Sequence, residues 1–303
     1  MPGPRWTDIR RFDTIDSTNR YLVEEARAGA PEGVVVVAGH QSAGRGRLGR
    51  RWEAPAGTNL LVSILLRPEL PAEQRHLAAA VVALAAAEAV EDLADLRLGV
   101  KWPNDLLAPD GRKVAGVLAE GDLTAPRSTG RSGGPSGPGT GTAPAPASGS
   151  GSGSASGPGS ASGPGSGSGS AVAVRPAIVV GIGVNVNWPG SDADLPVELV
   201  GTATSLRQLT GRPVDPDEIL HSLLDALEPR LDALGTIPGR IRQADELRRR
   251  CVTLGTAVRI ELADSRFEGR AVDITPEGHL VVETATGLRT VVAGDVVHVR
   301  PPA

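Results

Sequence analysis

Cysteine, lysine and aromatic side chains are scarce in this 303-residue chain, and each scarcity excludes something. The single cysteine, Cys251, rules out an intramolecular disulfide and a cysteine-cluster metal centre. The five histidines (His40, His76, His221, His279 and His298) are too scattered for metal-ligand spacing. No apolar run is long enough to span a bilayer, and the N-terminus, MPGPRWTDIRRF, lacks an apolar signal core, so a cytoplasmic location is expected. A formal charge of -4 argues against a general nucleic-acid or membrane-surface binder while permitting a local basic site. A P-loop and a kinase catalytic signature are also missing.

Two lysines, Lys101 and Lys113, stand among 31 basic residues, all the others being arginine. A lysine is a compact point charge on a flexible stem, able to reach one oxygen where a planar guanidinium would not fit. Both lie in one short polar region, which marks that region for chemistry. The seven aromatics are informative for the same reason: Trp52, Trp102 and Trp188 all fall in or beside polar motifs.

The stretch Gly39 to Trp52, GHQSAGRGRLGRRW, sets Arg45, Arg47, Arg50 and Arg51 among glycines, between the apolar runs Val34 to Val37 and Leu60 to Leu66. Such a segment makes a poor helix and a poor strand. Glycine leaves the backbone free to wrap a ligand, and arginine forks suit carboxylate and phosphate oxygens; a solvated basic loop is the plainer alternative. Gly44 to Gly49 spells G-x-G-x-x-G, but Pro55, Gly57 and a strand follow where the dinucleotide fingerprint needs a helix.

Along the chain, Asp13 to Gly29 carries a helix start at Asp16, Ser17 and Thr18, whose hydroxyls and amides also suit a small polar ligand. Strands are expected at Val34 to Ala38 and Asn59 to Arg67, and the longest helix at Pro71 to Leu98. Val100 to Leu107, a turn at Pro109 to Gly111, and Arg112 to Glu120 read as a hairpin carrying Lys101, Asn104, Asp105 and Lys113. Residues Ser128 to Ser170 are almost wholly Gly, Ser, Pro, Ala and Thr and are expected to be disordered, an insertion between neighbouring strands. Ile178 to Val186 is an apolar strand whose Gly181 and Gly183 allow close approach, with Asn185 offering donor and acceptor to a base edge; a bulged core strand is the alternative. Asp215 opens a helix that Pro229 is expected to end or kink, a charged helix spans Ile241 to Arg250, and short β-branched runs from Val252 to Arg300 predict a small barrel.

Together these motifs describe cationic donors, two tryptophans, a carboxylate and backbone-lined gaps. Joining a carboxylate to a nucleotide requires such a site, with cations, Lys113 and the loop arginines, offsetting charge on the attacked phosphate and the leaving pyrophosphate, and Mg²⁺ sharing that role. The residues Asp16-Ser-Thr-Asn19, Gln41-Ser-Ala-Gly-Arg-Gly-Arg-Leu-Gly-Arg50 with Trp52, Lys101-Trp-Pro-Asn-Asp105, Arg112-Lys-Val-Ala-Gly116 and Gly181-Ile-Gly-Val-Asn185 resemble the motifs of the biotin-protein ligases.

That resemblance implies an α+β fold. A mixed α/β sheet with helices, like a class II aminoacyl-tRNA synthetase catalytic domain, would occupy 1–250, interrupted at about 124–171, before a small all-β Src-homology-3-like barrel at 251–303. It implies biotin or biotinyl-adenylate contacts at Ser17, Thr18, Asn19, Gln41, Gly44, Arg45, Gly46, Arg47, Lys113 and Gly116. Nucleotide contacts would come from Arg47, Arg50, Trp52, Asn104 and Asn185. Lys113, Arg45 and Asp105 would be catalytic, with Asp105 also the metal ligand. The implied activity is ATP-dependent ligation of biotin, through biotinyl-5'-AMP, to a lysine of a carboxyl carrier domain of an acyl-CoA carboxylase, forming a carbon-nitrogen bond with Mg²⁺. Lipoate-protein ligase, a non-catalytic biotin or nucleotide sensor and a nucleic-acid binder are the alternatives. DNA-binding members of the family carry a winged helix-turn-helix before the catalytic part; here the Ser17 motif comes near the start, so a monofunctional type without nucleic-acid or membrane partners is expected. The sequence leaves open whether the chain is a monomer or a homodimer.

Overall fold

The computed structural model describes residues 5–123, 175–262, 265–292 and 295–298, which belong to one compact unit; the expected disordered insertion lies outside the described residues. A mixed seven-stranded sheet dominates. Its strands are β1 (Asp8–Ile15), β2 (Val34–Gln41), β3 (Leu60–Leu66), β4 (Gly99–Lys101), β5 (Asp105–Leu107), β6 (Lys113–Leu123) and β7 (Ala177–Val184), in spatial order β1-β2-β3-β7-β6-β5-β4. Only β1 and β2 run parallel among these neighbours.

Helices cover both faces, which is why the central strands read as unbroken apolar runs. On one face α1 (Thr18–Arg27) sets Leu22 and Ala26 on Val34, Val36, Leu65 and Val179. The opposite face carries Val35, Val37, Ile64, Leu66 and Val180 into a larger core with α2 (Leu77–Ala94) and α4 (Pro216–Leu234). Each fully buried Val or Leu contributes about 1.5–3 kcal/mol, so an acidic residue at Leu22 would break the α1 face.

α2 is buried almost all round, and its alanines let α4 approach. It is shorter than the Pro71 to Leu98 expected: Ala72–Gln74 forms a separate 3-10 turn, and Asp95 ends the helix in the left-handed region at φ 52. Pro229 does not end α4 either. Arg230 beside it is bonded to Glu88, Gln243 and Glu246, and Leu231 and Leu234 are buried, so packing against α2 and α5 (Ile237–Arg250) carries the helix through. β1 went unread because its DIRRFDTI pattern is half-exposed and charged, as edge strands are.

The short helix α3 (Leu206–Thr210) follows β7, and the chain closes with an antiparallel sheet of β8 (Ala257–Glu261), β9 (Arg266–Ile274), β10 (Leu280–Thr284), β11 (Gly287–Val291) and β12 (Asp295–His298). Val258, Ile260, Ala271, Leu280 and Val282 of this sheet join the large core. Among the described residues no helix is long and apolar enough to cross a membrane.

Candidate active site

Strand partners in an antiparallel pair point to the same face, and on the α1 face Gly116, Gly181 and Gly183 leave three neighbouring positions without side chains. Gly116 pairs with Gly183, Leu118 with Gly181, and Gly181 on its other side with Ser63. Beyond the N-terminus of α1 the sheet therefore has a bare floor. A Cβ at Gly181 would lie 2.1 Å from Asn19 Oδ1, and one at Gly183 would lie 2.5 Å from Trp52 Cε2. Over this floor is a cavity of about 290 Å³, walled by the α1 N-terminus, the arginine loop, Asn104, Asp105, Lys113, Asn185 and Trp188.

At the α1 end the polar groups are fixed by one another. Ser17 caps the helix by accepting from Arg20 N, and Gln41 Oε1 accepts from Thr18 N at 2.9 Å and from the Thr18 hydroxyl at 3.2 Å. The Ser63 hydroxyl lies 2.7 Å from Thr18 Oγ1 and 2.6 Å from Asn19 Oδ1, so its one proton serves one of them at a time.

The arginine loop is more regular than its composition suggests. Gly46 N donates to Arg50 O at 2.7 Å, Trp52 N to Gly44 O at 3.1 Å, and Arg45 bridges Arg51, making a small hairpin with a 3-10 turn at Arg47–Gly49. Glycine at 44 is required by close approach, since a Cβ there would sit 2.3 Å from Trp52 O. Arg47 Nη1 donates to Asn104 Oδ1 at 3.2 Å, and Asn104 Nδ2 donates to Val117 O.

Lys113 Nζ is 2.7 Å from Asp105 Oδ1, with side chains 31% and 19% exposed, and 5.4 Å from the Trp52 ring centre. An ammonium, a half-buried carboxylate and an indole thus share one corner of the cavity. Trp52 Nε1 is buried without a hydrogen-bond partner among the described atoms.

Nearly every residue expected at the site lines this cavity: Ser17, Thr18, Asn19, Gln41, Arg45, Gly46, Arg47, Arg50, Trp52, Asn104, Asp105, Lys113, Gly116 and Asn185. Gly44 instead lines an open cleft on the outer side of the loop. Asn185 is less available than expected. Its Nδ2 donates to Thr204 O at 3.0 Å, while its Oδ1 accepts from Asn59, whose own Oδ1 takes the amides of Val186, Asn187 and Trp188. Trp102 lies elsewhere, at the junction with the C-terminal sheet, donating through Nε1 to Gly278 O at 3.1 Å. Lys101 ends β4 and is not part of the cavity wall. Sequence reasoning missed Asn59, Glu120 and the apolar wall of Val62, Leu195 and Leu199. A polar residue flanking or closing an apolar strand was the signal for the first two. Cys251 is buried, which pushes its thiol up and away from nucleophile duty.

A protein ligase is the class to which this fold and site belong: residues 11–129 match the biotin/lipoate A/B protein ligase family and 253–299 match the biotin protein ligase C-terminal domain. The biotin–[acetyl-CoA-carboxylase] ligase of Mycobacterium tuberculosis is 31% identical, covering 98% of this chain and 91% of that protein. The bifunctional ligase/repressor BirA of Bacillus spizizenii is 29% identical over 94% of this chain and 72% of its own length. Among solved structures, the biotin protein ligase from Aquifex aeolicus in complex with biotin and ATP superposes with TM-score 0.69 at 23% identity, covering 97% of this chain and 100% of that one. The chain belongs to the biotin protein ligase family.

Proposed function

We propose that the glycine-floored cavity is where this chain runs the family's two-step reaction: biotin activated by ATP, then passed to a lysine of a biotin carboxyl carrier domain of an acyl-CoA carboxylase. The observation that carries this is the convergence of Lys113, Arg45, Arg47 and Arg50 with the α1 hydroxyls on one cavity. Biotin would lie at the Ser17, Thr18, Asn19 and Gln41 end, and the nucleotide toward Trp52, Arg50 and Asn185.

In the first step a biotin carboxylate oxygen forms a bond to the α-phosphorus of ATP, and the bond to the bridging oxygen breaks as pyrophosphate leaves with its electron pair. Lys113 meets the charge that develops on the α-phosphate, with the arginines neutralising the leaving group. In the second step the acceptor amine adds to the biotinyl carbonyl carbon, the carbon–oxygen bond breaks and AMP departs. Asp105, turned to the cavity and paired with Lys113, is placed to receive the proton the amine releases.

The residues present suit Mg²⁺ only as an ion carried on ATP. No group of three His, Cys, Asp or Glu among the described residues could cage a metal, whereas one carboxylate plus phosphate oxygens is the usual Mg²⁺ environment, and Asp105 would supply it. Bound there, the ion would offset phosphate charge. The domain assignment of a catalytic part at 1–250 and a small barrel at 251–303 accompanies this reading.

Incubation with ATP, Mg²⁺, labelled biotin and an apo carrier domain tests it. Label should appear on the carrier, and lipoate should compete poorly with biotin in ATP–pyrophosphate exchange. No transfer, or preference for lipoate, would refute the assignment.

A further inference from the structure

Glu120 faces the same side of β6 as Gly116 and Leu118, one strand position beyond the cavity floor, and the two-step reaction gives it no task. One of its oxygens, Oε2, accepts from Arg45 Nη2 at 2.8 Å and from Asn19 Nδ2 at 2.9 Å. Asn19 is a rigid anchor. It is 4% exposed, Ser63 Oγ lies 2.6 Å from its Oδ1, and its Nδ2 also donates to Leu118 O at 3.2 Å.

We infer that Glu120 is a positioning residue for retention of the adenylate: its carboxylate ties the Arg45 guanidinium to the biotin end of the cavity. The inference rests on the proposed two-step reaction, in which Arg45 contacts the biotinyl-adenylate. With side chains 41% and 28% exposed, the Arg45–Glu120 pair contributes little to stability. Its effect is on order. Arginine carries large rotamer freedom, and fixing one edge of its planar fork before the ligand arrives removes a cost of closing the loop. The rest of the fork remains for oxygens of the biotinyl phosphate linkage.

Glu120→Gln isolates the charge, because an amide oxygen at the Oε2 position can still accept from both Asn19 and Arg45 while the negative charge opposite the guanidinium is gone. Adenylate is formed in a single turnover, and its escape is followed by trapping free biotinyl-AMP. Glu120→Gln should release it about five- to tenfold faster than the parent protein, because the bond to Arg45 loses its charge assistance. Arg45→Ala should release it at least as fast, and the double variant no faster than Arg45→Ala alone. Glu120→Asp, which keeps the charge on a shorter stem, should fall between parent and Gln, and serves as the readout should the Gln variant not fold. A parent-like release rate in either Glu120 variant, or effects that multiply in the double variant, overturns the role. Failure of the parent protein to form adenylate would overturn the ligase reading and this role with it.

Discussion

A single methyl group at Gly183 should separate the fold from the site. Gly183 does not have a positive φ, so alanine meets no backbone penalty there. The added Cβ would instead stand 2.5 Å from Trp52 Cε2 and 2.7 Å from Nε1. Carbon atoms in contact rest at about 3.5–4.0 Å, so the indole must retreat by about 1 Å. Trp52 is partly exposed at the end of the arginine loop, and its Nε1 has no hydrogen bond to lose. What is lost is the contact with Lys113, worth about 0.5–1 kcal/mol. Gly183→Ala should therefore lower the thermal midpoint by only about 1–4 °C. In the site, by contrast, a shift of about 1 Å can cost about a hundredfold in rate. ATP–pyrophosphate exchange in the presence of biotin should show kcat/KM for ATP reduced by about that factor. Parent-like exchange would refute both the seating of Trp52 on Gly183 and its place beside the nucleotide.

Lys113→Ala should abolish adenylate formation, by about 10²–10³-fold, while far-ultraviolet dichroism stays native, and Lys113→Arg should not restore it because Gly116 and Trp52 leave no room for a fork; normal adenylate yield would sink the assignment. Burial, reinforced by the stacked ring of His279 at 4.7 Å, holds the His76 imidazole below its ordinary value. The folded chain then resists a proton that the unfolded chain accepts near pH 6.5, so stability is lost as pH falls through about 6.5. Melting at pH 8, 6 and 5 should show that loss and His76→Gln should flatten it, an unchanged slope counting against a buried neutral His76. Because Leu123 pairs with Ala177, a short Gly-Ser connection in place of 128–170 should leave turnover within about twofold, and a large loss would reveal a role for the segment.

Much of the site was legible because its chemistry needs particular residue types clustered at close spacing. Lys113, the loop arginines and the glycines of β7 stand out against a chain otherwise poor in lysine and rich in alanine and valine. What could not be read were the contacts that fix them. Asn59 looks like a turn residue before an apolar strand, yet its one carbonyl oxygen accepts three backbone amides from the segment after β7. Glu120 looks like the solvated end of a strand. Neither role exists until the strand order β3-β7-β6 brings distant segments together. The same gap explains Pro229 and Trp102, whose local signals were overridden by partners far away in sequence.

Trp102 shows how the C-terminal sheet bears on the chemistry. Its backbone N–H donates to Thr253 Oγ1 at 3.0 Å and its indole to Gly278 O, while Val252 N donates to Val100 O at 2.9 Å. These bonds grip β4 and the turn that follows it. Two residues further on, Asn104 receives Arg47 from the arginine loop and Asp105 receives Lys113. A buried indole 3% exposed cannot drift without leaving its N–H unpaired, at a cost of about 1–3 kcal/mol. The position of Asn104 and Asp105 is therefore set from two sides, by the cavity and by the C-terminal sheet. That places the C-terminal sheet in the scaffold that holds the turn of Asn104 and Asp105.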